Sequence, residues 1–221
     1  GDGTQNNPYV IANTTHIQNM SKVLIGKQTT YFVLSADIDM QGIKWTPLNG
    51  DGPYEKWIIF DGRNHVIRNL TCDSGSYPSF FGVLCGECKN VGFVDANISS
   101  TNQGIGIIAG YVGLNSGAVG FTGKIINCYT TGILKGSGAA GGIGGIFGGN
   151  GRIENCYTTA TIIDQINADN GKAGGIIGRF HAGNTTSYIE NCYVSGDISA
   201  TKGGWVGGIV GNMAVSYTHL R

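Results

Sequence analysis

One sentence is written several times in this chain: a glycine-flanked apolar core of about four residues, followed by an Asn-Cys-Tyr triplet. The cores read Gly145-Ile146-Phe147-Gly148, Gly175-Ile176-Ile177-Gly178 and Gly208-Ile209-Val210-Gly211, with weaker copies at Gly106-Ile107-Ile108-Ala109 and Ser79-Phe80-Phe81-Gly82. The triplets are Asn127-Cys128-Tyr129, Asn155-Cys156-Tyr157 and Asn191-Cys192-Tyr193, with Asn90-Val91-Gly92 as a degenerate copy. A period of roughly 30 residues built from short β-type runs and glycine is the pattern of stacked repeats, in which no unit buries its apolar side alone.

The intervals sharpen this. From core to Asn the chain runs 79 to 90, 106 to 127, 145 to 155 and 175 to 191, a span that varies about twofold. From Asn to the next core it runs 90 to 106, 127 to 145, 155 to 175 and 191 to 208, which is nearly constant. The constant interval reads as strand and tight turn, the variable one as loop. The long loops are Tyr111–Gly123 and Arg179–Ser187, rich in Gly, Asn, Ser and Thr. Runs such as Tyr157-Thr-Thr-Ala-Thr-Ile-Ile163 favour a pleated chain over a helix. The expected fold is all-β: a right-handed parallel β-helix of about five or six coils, spaced about 4.8 Å apart. A propeller or jelly roll needs recurring hairpin turns, which the repeats lack.

Each triplet position has a physical role. Asn tolerates a left-handed corner and can extend a hydrogen-bonded ladder along the stack. Cys128, Cys156 and Cys192 are expected inward as a column of free thiols, and Tyr129, Tyr157 and Tyr193 outward. Cys85-x-x-Cys88 has metal-like spacing but no second pair, so it reads as packing or a local disulfide, and the pairing of Cys72, Cys85 and Cys88 stays open.

Residues 1–78 differ and read as a cap region with the first strands, before repeats over 79–213, all in one domain over 1–214. Thr15-x-x-Gln18 is a capping-box pattern, and Ile17, Met20 and Leu24 follow at helical spacing, which predicts a helix over Thr15–Leu24 covering the first coil. The last seven residues, 215–221, resemble a translated sequencing adaptor and are set aside as a non-native tail, with His219. The absence of an initiator Met and of an apolar leader is expected to reflect a signal removed or lying outside the sequence.

These residues resemble the bacterial surface proteins that carry GLUG motifs. The Gly-Gly-Ile-Ile/Val-Gly cores are that motif, and the order of Asn7-Pro8-Tyr9, Leu34-Ser-Ala-Asp37-Ile-Asp39, Trp45-Thr-Pro-Leu48 and Phe60-Asp61-Gly-x-x-His65 matches over about residues 1–213. Ala109, where a core Gly is expected, departs from the pattern. The resemblance implies a secreted or cell-surface module of a larger chain, beside adhesion-type domains and sometimes upstream of an immunoglobulin-cleaving metallopeptidase. It assigns no catalytic residue.

Fourteen basic and 14 acidic residues cancel, so nothing marks the chain for nucleic acid or an anionic membrane, and no apolar run is long enough for a transmembrane helix. No His is followed by Glu in a zinc-peptidase pattern, and there is no nucleophile elbow or phosphate loop. Asp37 and Asp39 share a strand face and could bind calcium or act as a pair, but better suit a strand end and turn. Asp61 and His65 read as a turn with a packed imidazole.

The sequence therefore predicts no enzyme, no cofactor and no metal site. It predicts a module for adhesion, ligand binding or domain display, with a carbohydrate-active β-helix enzyme as the alternative. Binding candidates are the Tyr129, Tyr157 and Tyr193 row, which would suit a sugar ring. A second candidate is a notch above Asn150–Arg152 between the two long loops, with Arg179 at its wall, suited to a glycan or an extended peptide of a host, environmental or surface partner.

Overall fold

The computed structural model describes every residue except 27, 51–55, 103, 117–118, 166–170, 182–186, 201–203 and 215–221, so the tail expected to be non-native lies outside the described residues. Apart from one short helix the described chain is β, and its strands pair in parallel in sequence order. The largest sheet runs Tyr9–Ile11, Thr29–Leu34, Trp57–Asp61, Phe81–Lys89, Ala109–Val112, Gly144–Phe147, Ile177–His181 and Val210–Ala214. A branch leaves the second half of Phe81–Lys89 for Gly123–Ile126, Gly151–Glu154 and Ser187–Glu190. A second sheet begins at Ile38–Asp39 and Val66–Arg68 and continues through Gly92–Ser100, Tyr129–Gly136, Tyr157–Thr158 and Tyr193–Val194. Among the described residues the one antiparallel pair is a hairpin, Leu114–Ser116 with Val119–Phe121, inside the first long loop.

Register explains which residues face the core. In the branch, Phe60, Cys88, Ile125, Ile153 and Ile189 occupy one line across neighbouring strands. Cys88, Ile125 and Ile153 are fully buried, each Ile being worth about 1.5–3 kcal/mol of transfer free energy. The next residue along the strand faces out. The same alternation separates Cys85 from Cys88. Three apart on a strand, they point to opposite faces, Cys88 into the main core and Cys85 into a satellite cluster with Val83, Tyr111 and Ile146. A disulfide between them is excluded, and all six cysteines are free thiols.

The register also corrects the repeat alignment. Phe81 pairs with Ala109, Ala109 with Gly144, Gly144 with Ile177 and Ile177 with Val210. The true equivalent of Gly175–Gly178 is thus Gly142-Ile143-Gly144-Gly145, and the weak copy is Ile107-Ile108-Ala109-Gly110. Ala109 does not stand at the closing glycine of the motif; Gly110 holds that place. A run of doubled glycines reads equally well at a shift of three, and only strand pairing breaks the tie. The motif glycine is needed because backbone passes behind it: a Cβ on Gly178 would lie 2.4 Å from the Ala140 nitrogen, and one on Gly145 2.5 Å from the Gly104 carbonyl carbon.

The corners follow the expected chemistry. Asn90, Asn127, Asn155 and Asn191 all have φ between 51° and 53°, the left-handed region Asn tolerates. Their amides form a ladder: Asn191 Nδ2 donates to Asn155 Oδ1 (3.2 Å), Asn155 to Asn127 (3.1 Å), Asn127 to Asn90 (3.1 Å), and Asn90 to Asp61 Oδ1 (3.1 Å). Each following thiol donates back to the carbonyl two residues earlier: Cys128 to Ile126, Cys156 to Glu154 and Cys192 to Glu190, at 3.1–3.2 Å. Cys128 and Cys156 are buried, while Cys192 is half-buried in the last described repeat.

The helix is shorter and starts earlier than its spacing predicts. It is α over Thr14–Asn19 and 3-10 over Met20–Val23. The cap is Asn13, whose Oδ1 accepts from the His16 amide at 2.9 Å, while His16 Nδ1 accepts from the Ala12 amide at 3.2 Å. Asn-x-x-His performs the reciprocal capping assigned to Thr15 and Gln18, because Asn is the stronger N-cap. Ile17 and Met20 are buried in the main core, which also contains Ile11.

Candidate binding groove

The outward-facing register line of the branch begins at Tyr31 and passes Ile59, Glu87, Lys124 and Arg152 to Tyr188. At its distal end lies a cavity of about 520 Å³ lined by Thr122, Lys124, Asn150, Gly151, Arg152, Tyr188 and Glu190. A second hollow of about 200 Å³, bordered by Tyr31, Trp57, Ile59 and Glu87, continues from it and shares Thr122 and Lys124. The two form one groove that crosses the strands.

A cavity does lie at Asn150–Arg152, with both residues in its lining, but of the two loops expected to wall it only Thr122, in the first, borders it among the described residues. Both long loops connect the glycine-core strands to the branch strands, Val112 to Gly123 and His181 to Ser187, so they leave the same corner of two repeats separated by a third. Between them the connection is short, Gly148–Asn150. Residues 182–186 of the second loop lie outside the described residues. Arg179 is the exception: it sits within the strand Ile177–His181, in register with Ile146 and Asn212, and does not line the groove. It lies one strand earlier than the loop composition predicts, because the loop opens only after His181.

Charge in the groove is largely self-compensated. Arg152 Nη2 donates to Glu190 Oε2 at 2.7 Å and its Nε lies 2.9 Å from Glu154 Oε2. Those partners, Glu190 first, hold the guanidinium even more firmly in its charged form. Lys89 lies 2.8 Å from Glu87, which raises the ammonium's pKa. Lys124 is exposed and carries no ion pair among the described residues. Sequence reasoning found Asn150 and Arg152 through the loop spacing. It missed Thr122 and the Tyr31–Trp57 end, which do not repeat, and Lys124, Tyr188 and Glu190, which stand at fixed distances before the triplet Asn residues.

The tyrosine row faces out as expected but is differently disposed for binding. Tyr129 and Tyr157 stack on each other, centroids 5.0 Å apart and planes 4° from parallel, and the Tyr129 ring lies over Gly92, where any Cβ would be 2.3 Å from Cζ. Ring faces are the surfaces on which a sugar stacks, and here the shared face of Tyr129 and Tyr157 is taken by the neighbouring repeat. Tyr193, in register with Tyr157, is the most exposed of the three at 61%.

The carboxylates settle into turns. Asp37 Oδ1 accepts from the Val66 amide at 3.0 Å and meets His65 Nδ1 at 3.2 Å; Asp39 Oδ1 accepts from Asn69 Nδ2 at 2.8 Å and the Gln41 amide at 2.9 Å. These bonds lower both pKa values, that of Asp37 chiefly through Val66 and that of Asp39 chiefly through Asn69. Asp61 bonds the Arg63 amide and Asn90, so His65 is partnered by Asp37 and not by Asp61. Among the described residues no group of three or more His, Cys, Asp or Glu is placed to hold a metal ion, and no helix is long and apolar enough to cross a membrane.

No family model matches the sequence, and no curated protein does. A solved structure described as a "putative immunoglobulin A1 protease" from Bacteroides ovatus is similar at 54% identity, with a TM-score of 0.92 over 98% of this chain. The chain spans 65% of that protein's chain. This similarity corrects the expectation that the protein is no enzyme. The exclusion rested on motifs missing from these 221 residues, and a chain similar over nearly all of them bears the name of a protease.

Proposed function

We propose that the parallel strands wind as a right-handed β-helix of about six coils, and that this β-helix grips the substrate of a secreted or cell-surface bacterial protein acting on an immunoglobulin-type glycoprotein. The similarity to the Bacteroides ovatus protein carries this reading. The in-order parallel pairing supports the solenoid, since the strands of each repeat pair with the equivalent strands of the next and the chain returns to each sheet in the same direction. The GLUG resemblance supports a surface location, and the groove supplies a place for a partner to lie.

The test uses the chain as it stands. Immobilised immunoglobulin A1, with immunoglobulin G and albumin as controls, is probed for retention, and the same mixtures are followed by electrophoresis for new fragments. Selective retention or selective fragments support the reading. Neither, at concentrations up to 100-fold above about 1 μM, a typical affinity for a transient contact, overturns it.

A further inference from the structure

We infer that the groove is a subsite for a neutral, linear oligosaccharide lying across the repeats, one sugar ring per repeat. The inference deepens the reading above by naming what part of a glycoprotein the module would hold, and it stands on four observations.

The first is spacing. Tyr31 to Tyr188 crosses five strand-to-strand steps, about 24 Å at the usual separation of neighbouring strands. A linked pyranose advances by close to one such step, so successive rings meet equivalent positions. An extended peptide advances only about 3.3 Å per residue and drifts out of phase. The second is position. Peptides that bind sheets add a strand at an edge, where backbone donors and acceptors are open. This groove crosses the sheet face, where Trp57–Asp61, Phe81–Lys89, Gly123–Ile126 and Gly151–Glu154 are each already paired on both sides, and among the described residues only Ser187–Glu190 at its distal end has a single partner. The wall chemistry must come from side chains.

The third is the wall itself. Tyr31 and Trp57 stand at one end and Tyr188, half exposed, at the other; between them Lys124, Arg152 and Glu190 present hydrogen-bonding groups. Aromatic faces with planar polar groups between them match the apolar faces and hydroxyl rims of sugar rings. The fourth is charge. Arg152 lies between Glu154 and Glu190, and Glu87 pairs with Lys89, leaving the line near neutral with Lys124 as its one cation without an ion pair among the described residues. A polyanion would have to displace those carboxylates, whereas hydroxyls hydrogen-bond to the pairs as they stand.

Calorimetric titration with defined probes tests this: neutral cello-, malto- and chito-oligosaccharides of two to seven rings, a galacturonic acid hexamer, and an unglycosylated extended peptide. The expected result is binding of at least one neutral series, with affinity rising to about five or six rings and then level. Tyr188→Ala should weaken it about tenfold, the loss of one aromatic platform, while Tyr188→Phe stays within about twofold of the parent, separating a platform from a folding defect. Intact, enzymatically deglycosylated and glycan-only immunoglobulin arms distinguish a glycoprotein source from a free polysaccharide. Failure of every neutral series, preference for the acidic hexamer or the peptide, or affinity indifferent to ring number overturns the inference. Retention of deglycosylated immunoglobulin without any sugar binding would overturn it while leaving the proposed function standing.

Discussion

Replacing Asn155 separates two contributions that the ladder superimposes. Asn155 sits at φ 53°, donates to Asn127 and accepts from Asn191. Alanine there removes both side-chain bonds and puts a Cβ without polar compensation into the left-handed region. That conformation costs about 1–2 kcal/mol, and two exposed bonds add about 0.5 kcal/mol each, giving about 2–3 kcal/mol. Glycine keeps the corner unstrained and loses only the ladder and some chain entropy, about 1–1.5 kcal/mol. Urea unfolding monitored by far-ultraviolet circular dichroism, at unchanged m, should place Asn155→Ala about 1 kcal/mol below Asn155→Gly. In thermal melts the alanine variant should fall by about 5–10 °C for a chain of this size. Equal losses for the two variants would refute the backbone half of the reasoning. A glycine variant as stable as the parent would refute the ladder half.

Other outcomes follow from the same geometry. Burial pushes the Cys85 thiol up to about 12, and the contact with Cys128 pushes Cys156 up to about 12. A thiol reagent at pH 8 should reach half-buried Cys192 first and the other two only with denaturant; mass spectrometry showing rapid native labelling of Cys156 would contradict the column. The Thr130 and Thr158 hydroxyls are buried 2.7 Å apart, and Thr158 Oγ1 accepts from the Ala160 amide at 3.1 Å. Thr158→Val strands that amide and should cost about 1–3 kcal/mol in urea unfolding, while Thr158→Ser should cost less than about 1 kcal/mol. Asp37 and Asp39 have folded pKa values below their unfolded ones, so their stabilisation is present above the unfolded pKa and lost as pH falls through the folded values. Melting temperature should therefore drop below about pH 4, and Asp37→Asn should flatten that limb; an unchanged acid limb would remove Asp37 from its cause.

What the sequence determined was whatever recurs. Asn at a corner, Cys behind it and Tyr beyond each meet the same surroundings in every repeat, so one local argument served for all of them and the parallel β architecture followed. The inward thiols and left-handed Asn residues were legible because backbone sterics and strand alternation are short-range. Register was not legible where Gly142–Gly149 repeats itself at a shift of three, and only pairing with Ile107–Gly110 and Gly175–Gly178 set it. Nor was the stacking of Tyr129 on Tyr157 visible, since the sequence shows that both face outward and not that each ring covers the next. The groove belongs largely to the tertiary structure. Lys124, Arg152 and Tyr188 each stand three residues before a triplet Asn, but their side chains differ from copy to copy, and Tyr31 and Trp57 lie outside the repeats, up to 157 positions away, from 31 to 188. The stack of repeats brings Tyr31, Lys124, Arg152 and Tyr188 into one line through Ile59 and Glu87, with Trp57 beside it.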